Sequence, residues 1–272
     1  MYDWIEINGV KSTALAGLTA LDWSPPLYTR RKRDTEWIPG RIGQVQSQYP
    51  TYEEPTATLT LSVVGETEAQ LRSRWLAVRK WLARGRRLRL SDQPDTYYLG
   101  EITQVTPQDS AVYADGDCWL TATAAWALAP ACLIKYRSAS EGWAPDLDTP
   151  IPQQLTAANA TQAKTLTAAG QMDAIAYDGA YPAWLCLRIT GAWDTLNVGG
   201  VAGLTIHQAA ATATTLYIDC LAQVCYALED GVQVSWAGAI SGDYPAPTED
   251  FSLAIGGTGI NVTVQLLVIE MT

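Results

Sequence analysis

The sequence contains one histidine, His207. That excludes a histidine-built metal centre and any catalytic set of several imidazoles. Its five cysteines, Cys118, Cys132, Cys186, Cys220 and Cys225, include no C-x-x-C pair, and their odd number argues against a disulfide framework. Buried free thiols in a reducing compartment are expected instead. No G-x-S-x-G occurs, and no motif surrounds His207, so it is expected to be a structural residue, at a strand edge or partly buried. The run Gly256-Gly257-Thr258-Gly259 lacks the Lys-Ser/Thr of a phosphate loop and is expected as a hairpin turn. EF-hand spacing is missing. The acid pairs Glu53-Glu54, Glu229-Asp230 and Glu249-Asp250 are adjacent along the chain. Neighbouring side chains in a strand or loop diverge, so these are solvated turn acids rather than a glycosidase pair. A non-enzyme without metal or cofactor is the expectation.

The start, Met1-Tyr2-Asp3-Trp4-Ile5-Glu6, has neither a basic segment nor an apolar run, so no signal peptide is expected. Residues 118–134 carry no charge over 17 positions but include Thr121, Thr123 and Pro130. A core strand buried on both faces and ending at Pro130 is expected, with a membrane span as the remote alternative. Membrane insertion is therefore not expected.

Positive charge is scarce in one half only. Residues 1–138 hold 16 Lys+Arg against 15 Asp+Glu, a balance of +1, while residues 139–272 hold 2 against 13, a balance of −11. A chain of net charge −10 is not built to grip nucleic-acid phosphate, so no sequence-specific nucleic acid is expected. Its 272 residues, 48% hydrophobic and 17% charged, suit a globular chain of about two domains.

The first half reads as strands with one helix. Asn8-Gly9 is a hairpin signal after a short strand, and residues 58–64 alternate polar and apolar. Thr67 and Gln70 form a capping box, and Leu71, Trp75, Val78 and Leu82 make one helical stripe. Strands follow at 87–90 and 96–105. Residues 141–154 carry Pro145, Pro150 and Pro152 and read as a linker or arm. The second half shows turn signals, among them Gly191, Gly199-Gly200 and Gly242-Asp243, between β-prone runs at 184–190, 214–219, 232–236 and 261–269. The expected fold is mainly β: a β-sandwich-like N-terminal domain with one α-helix and a hairpin over 1–135, a linker over 136–155, and an antiparallel jelly roll over 156–272.

Two basic clusters stand out, Arg30-Arg31-Lys32-Arg33 and the run Arg84, Arg86, Arg87 and Arg89. Either is a solvated face or a pairing surface for an acidic neighbouring subunit. Among the eleven tryptophans, Trp193 and Trp236 lie beside turns, which makes them candidates for glycan contact against the commoner reading of burial.

The order of features resembles the distal tail protein family of siphophages. Ile38-Pro39-Gly40-Arg41-Ile42-Gly43 is similar to that family's Pro-Gly-Arg loop, with Ile42 where an acid is usual. Around it fall Ile7-Asn8-Gly9, the strand at 57–64, the helix ending Arg79-Lys80-Trp81-Leu82, Leu88 and Leu90, Asp92, and Asp95 before Tyr97-Tyr98. Gly179-Ala180-Tyr181-Pro182-Ala183, Leu216-Tyr217-Ile218-Asp219 and Ser241-Gly242-Asp243-Tyr244-Pro245 come next. The resemblance implies a loop role for Pro39, Gly40, Arg41 and Gly43. It implies a homo-hexameric ring around a DNA channel, formed mostly by the first domain, with a galectin-like or carbohydrate-module-like jelly roll outside it. Arg30, Arg31, Lys32 and Arg33 would line the channel or a subunit interface. Implied partners are the tail tube protein, the end of the tape-measure protein, the tail-tip hub protein and receptor-binding proteins. The implied location is the virion tail tip, assembled in the host cytoplasm. The alternative function is a carbohydrate-binding adhesin that uses the jelly roll.

Overall fold

Asn8 and Gly9 both sit at positive φ, 49° and 84°, as a two-residue hairpin turn requires, and Ile5–Ile7 pairs with Val10–Lys11 across them. The computed structural model describes residues 2–24, 31–32, 35–36, 45–46, 51–52, 56–83, 85–112, 118–146, 148–179, 181–200, 203–229 and 232–271. The chain divides into two compact units, Met1–Leu133 and Ile134–Thr272. It is mainly β, with antiparallel pairing in both units.

The first unit is built around the strand Thr56–Gly65. Ala57, Leu59, Leu61 and Val63 are fully buried while Thr58, Thr60 and Ser62 between them are half-buried, so the alternation in the sequence translates directly into one core face. Leu18–Ser24 pairs along one side of this strand and Cys118–Tyr136 along the other. The sheet continues through Gln93–Val112, Arg87–Leu90, Ile5–Ile7 and Val10–Lys11. The helix Glu68–Leu82 packs on it. Thr67 caps the helix, its Oγ1 accepting from Gln70 N at 3.2 Å. Gln70 Oε1 accepts from Glu66 N at 2.7 Å, one residue upstream of the N–H that a capping box uses. Leu71, Val78 and Leu82 are buried and Trp75 is packed at the margin of the same core, as the stripe predicts. Trp81 joins them, its Nε1 donating to Val10 O at 3.0 Å.

Two expectations about residues 118–134 are corrected. The strand Cys118–Tyr136 runs through Pro130 rather than ending there. Among the described residues, its pairing with Thr56–Gly65 runs to Ala127, and its pairing with Asn261–Met271 starts at Ile134. Among the described residues Pro130 falls outside both of these ladders, so its missing N–H takes no hydrogen bond from either; Gln93–Val112 is the strand's third neighbour. The strand is also not buried on both faces: Ala122, Ala124, Trp126 and Leu128 are buried, while Thr121, Thr123, Ala125 and Ala127 are half-exposed.

The second unit is a two-layer antiparallel sandwich. Its larger sheet runs Val232–Ser235, Val224–Glu229, Ala210–Asp219, Trp184–Trp193 and Asn261–Met271, with Gln162–Leu166 on the far side of the last. The smaller sheet runs Gly170–Gln171, Ala254–Thr258, Thr195–Val198, Leu204–Ile206 and Ile240–Ser241. Leu187, Ile189, Val264 and Leu266 of the first meet Leu196, Val198, Leu204 and Ile255 of the second in one apolar core. Each such fully buried side chain stabilises the fold by about 1.5–3 kcal/mol. Gly191, expected as a turn, instead lies inside Trp184–Trp193 at a register shift, with φ of +148°.

Residues 136–155, expected as a linker, fall within this unit and pack onto it. Tyr136, Pro152 and Leu155 are buried, and Ile151–Gln154 forms a short helix with proline in its first turn. This strap lies against the face of the large sheet that points away from the core. Arg188 Nη1 donates to Leu155 O at 2.8 Å, and Gln153 Nε2 donates to the Tyr226 hydroxyl at 3.1 Å.

Candidate functional site

The second basic cluster is not a solvated face throughout. Arg87 is buried, and the Arg89 side chain is only 16% exposed. Alternation along Arg87–Leu90 turns Leu88 and Leu90 into the core, which leaves both arginines on the opposite face. There they interleave with rings. Lys11 Nζ stands 4.3 Å from the Trp4 ring, the Arg89 guanidinium lies 5.3 Å from both Trp4 and Tyr97, and Arg87 lies 5.0 Å from Tyr97. Glu6, opposite Arg89 in the ladder, accepts from its Nη2 at 2.5 Å. Burial pushes the Tyr97 hydroxyl above its ordinary range, against the pull of Arg89 and Arg87. These arginines hold the sheet together from within. Arg86 remains exposed, and Arg84 lies outside the described residues.

Pro39, Gly40, Arg41 and Gly43 lie outside the described residues, as do Arg30 and Arg33. Arg31 and Lys32 form a two-residue strand paired with Thr51–Tyr52.

Trp193 and Trp236 are brought together, but in the core. They are 2% and 4% exposed, their rings are 6.0 Å apart in an edge-to-face pair, and Trp193 Nε1 donates to Gln208 O at 3.0 Å. Neither offers a face to a glycan. Their closeness to turns marks where the two sheets meet, and large rings fill that end of the sandwich. His207 is exposed at the end of Leu204–Ile206, with Nε2 and Ser241 Oγ at 2.8 Å. Asp250 Oδ1 accepts from Tyr177 N at 2.8 Å, tying together two segments 73 residues apart. Cys118, Cys186, Cys220 and Cys225 are buried free thiols. Burial raises the thiol pKa of Cys225 to about 12 and those of Cys186 and Cys220 well above the ordinary range.

The first unit carries a groove with a volume of about 760 Å³. Trp75, Leu76, Arg79 and Lys80 of the helix form one wall, and Ile102 and Val105 of Gln93–Val112 contribute to the other. Leu76 is 51% exposed. It stands off the apolar stripe, between arginines, and that misplaced leucine is the one signal of this groove in the sequence. Arg79 and Lys80 form no ion pair among the described residues, unlike Arg72, which pairs with Glu68 at 2.6 Å.

No protein-family model matches the chain, and no curated protein matches it. Solved structures do. The Dit protein of phage SPP1, described as a paradigm of hub adsorption apparatus in phages infecting Gram-positive bacteria, aligns over 99% of this chain and 98% of its own, with 13% identity and a TM-score of 0.60. A chain of the phage p2 baseplate in its activated conformation aligns over 99% of this chain and 97% of its own, with 8% identity and a TM-score of 0.52. The chain therefore has, from end to end, a fold similar to that of the Dit hub protein.

Proposed function

We propose that the chain is a structural virion protein, a hexameric distal tail hub that joins the tail tube to the tail tip and host-adsorption apparatus. The observation that carries this reading is the likeness to SPP1 Dit across 99% of one chain and 98% of the other, both units included. At 13% identity this is a likeness of fold, and the ordered family-like motifs at 38–43, 57–64 and 95–98 add to it from the sequence side. The role is mechanical and needs no catalytic group. Copies closing head to tail make a ring, here around a channel through which DNA passes. The ring docks the tail tube protein, the end of the tape-measure protein, the tail-tip hub protein and receptor-binding proteins at the virion tail tip, and assembly takes place in the host cytoplasm. Light scattering tests the reading: a particle of six times the 29.5 kDa chain mass, seen as a ring in negative stain, is the expected result. A chain that stays at 29.5 kDa at high concentration would overturn it.

A further inference from the structure

The larger sheet of the second unit ends on two unlike edges. At one, Gln162–Leu166 carries a charge midway: Lys164, whose Nζ stands 2.9 Å from Asp173 Oδ1. A lysine on an outer strand guards it against unwanted strand pairing. At the other, Val232–Ser235 pairs with Val224–Glu229 and, among the described residues, with no other strand. Its four residues include neither a charge nor a proline, so this edge lacks the guard that the opposite edge has.

Register fixes which backbone groups are on offer. Trp236 N donates to Cys225 O at 2.9 Å, and two positions along the ladder Val234 faces Ala227. Hydrogen-bonded pairs recur at every second residue of an antiparallel ladder, so Val232 and Val234 turn their N–H and C=O groups toward Val224–Glu229. Gln233 and Ser235 turn theirs to the open side, and both residues are exposed. Apolar side chains accompany these groups. Val232 is 65% exposed, Leu228 on the neighbouring strand is 36% exposed, and Val234 is half-buried against the core. Val234 faces the buried Ala227, which puts Val232 and Val234 on the core side of the sheet. A strand added here extends the ladder and covers the margin of the core at once.

Charge decides what kind of strand fits. Residues 189–272 hold eight Asp and Glu and no Lys or Arg. That stretch supplies Thr195–Val198, Leu204–Ile206, Ala210–Asp219, Val224–Glu229, Val232–Ser235 and Ile240–Ser241. A second copy set edge to edge would bring acid against acid, whereas a basic strand meets a field of opposite sign.

We propose that Val232–Ser235 is the docking edge for an extended segment of a different protein, one in which apolar and basic residues alternate. The segment bonds to the backbone of Gln233 and Ser235, lays its apolar side chains over Val232 and Val234, and turns its basic side chains to the other face. The inference goes beyond the hub reading, since it concerns the second unit alone and holds whether or not copies close into a ring.

Peptide titration and amide hydrogen exchange on the full chain test it. The probes are two short capped peptides, one alternating valine with lysine and the other alternating valine with glutamate. The valine–lysine peptide is expected to bind saturably, to slow exchange of the Gln233 and Ser235 amides, and to bind more weakly as salt rises. The valine–glutamate peptide is expected not to bind. Gln233→Pro deletes an N–H on the open side without touching the ladder, and is expected to abolish binding with an unchanged thermal midpoint. Val232→Lys, a like charge at an exposed position, is expected to abolish it as well. A valine–lysine peptide that does not bind overturns the proposal, and so does binding that survives both substitutions or is matched by the valine–glutamate peptide. Gln233 and Ser235 amides that become protected as the chain alone is concentrated identify a second copy as the occupant, which also overturns it. The hub reading stands or falls separately, on the particle mass in light scattering.

Discussion

Glu6 and Arg89 face each other across the Ile5–Ile7 and Arg87–Leu90 ladder, their charged atoms 2.5 Å apart and their side chains 8% and 16% exposed. The pair is set between Trp4 and Tyr97, so the guanidinium exchanges water for two rings and one carboxylate. Removing one partner leaves a buried charge uncompensated. Glu6→Ala is expected to destabilise the first unit by about 3–5 kcal/mol. Glu6→Leu with Arg89→Met is expected to recover most of that, because a buried pair contributes less than its breakage costs. Urea unfolding of wild type and the two variants measures the difference.

At Gly191 the backbone itself is the constraint. A Cβ there would stand 2.1 Å from Asn261 O, at a φ of +148° that L residues rarely adopt. Gly191→Ala is expected to cost about 2 kcal/mol or more. Gly238, where an added Cβ would meet nothing within 4 Å, supplies the control. Gly238→Ala is expected to stay within about 0.5 kcal/mol of wild type in the same urea titration.

Burial of Trp193 makes a prediction opposite to that of a sugar platform. Trp193→Ala is expected to cost about 3–5 kcal/mol, with a marked fall in the thermal midpoint of the second unit. An exposed stacking ring would leave the midpoint unmoved. Differential scanning calorimetry separates the two outcomes.

The thiols are expected to be inert in the native protein. With the Cys225 pKa raised to about 12, roughly one molecule in ten thousand carries its thiolate at pH 8. Iodoacetamide followed by mass spectrometry should find Cys186, Cys220 and Cys225 unmodified at pH 8 and fully modified after denaturation. The folded state holds these protons more tightly than the unfolded chain, whose thiols titrate near the ordinary value of about 8.5. Stability is therefore expected to fall as pH rises above that value. Native labelling with a midpoint near pH 8.5 would contradict the burial.

Local signals were readable wherever one residue's chemistry settles one piece of geometry. Gly9 reaches positive φ without steric cost and Asn8 tolerates it, Thr67 accepts a first-turn N–H, and Leu71, Val78 and Leu82 fall on one side because a helix repeats every 3.6 residues. The readings that failed concern position within a sheet. Pro130 and Gly191 signal a break in any single-strand reading, yet each is tolerated at a place defined only by neighbouring strands. Pro145, Pro150 and Pro152 suggest exposure, but Arg188 and Tyr226, more than 30 residues away in sequence, supply the partners that hold that strap in place. Trp193 and Trp236 belong to different hairpins, and only their packing shows that they are neighbours.

Composition and periodicity alone determine the class of molecule: a mainly-β chain with one amphipathic helix, few groups for catalysis, and its acidity concentrated in one half. Those properties depend on residue type and short-range spacing, which the chain carries along its length. Which arginines are buried, which tryptophans face one another, and where a groove forms depend on contacts between residues far apart in sequence. Periodicity cannot encode these, because it describes the face a residue occupies and not the strand that lies beside it. The groove between Trp75, Leu76, Arg79 and Lys80 and the strand residues Ile102 and Val105 belongs to this second kind of fact.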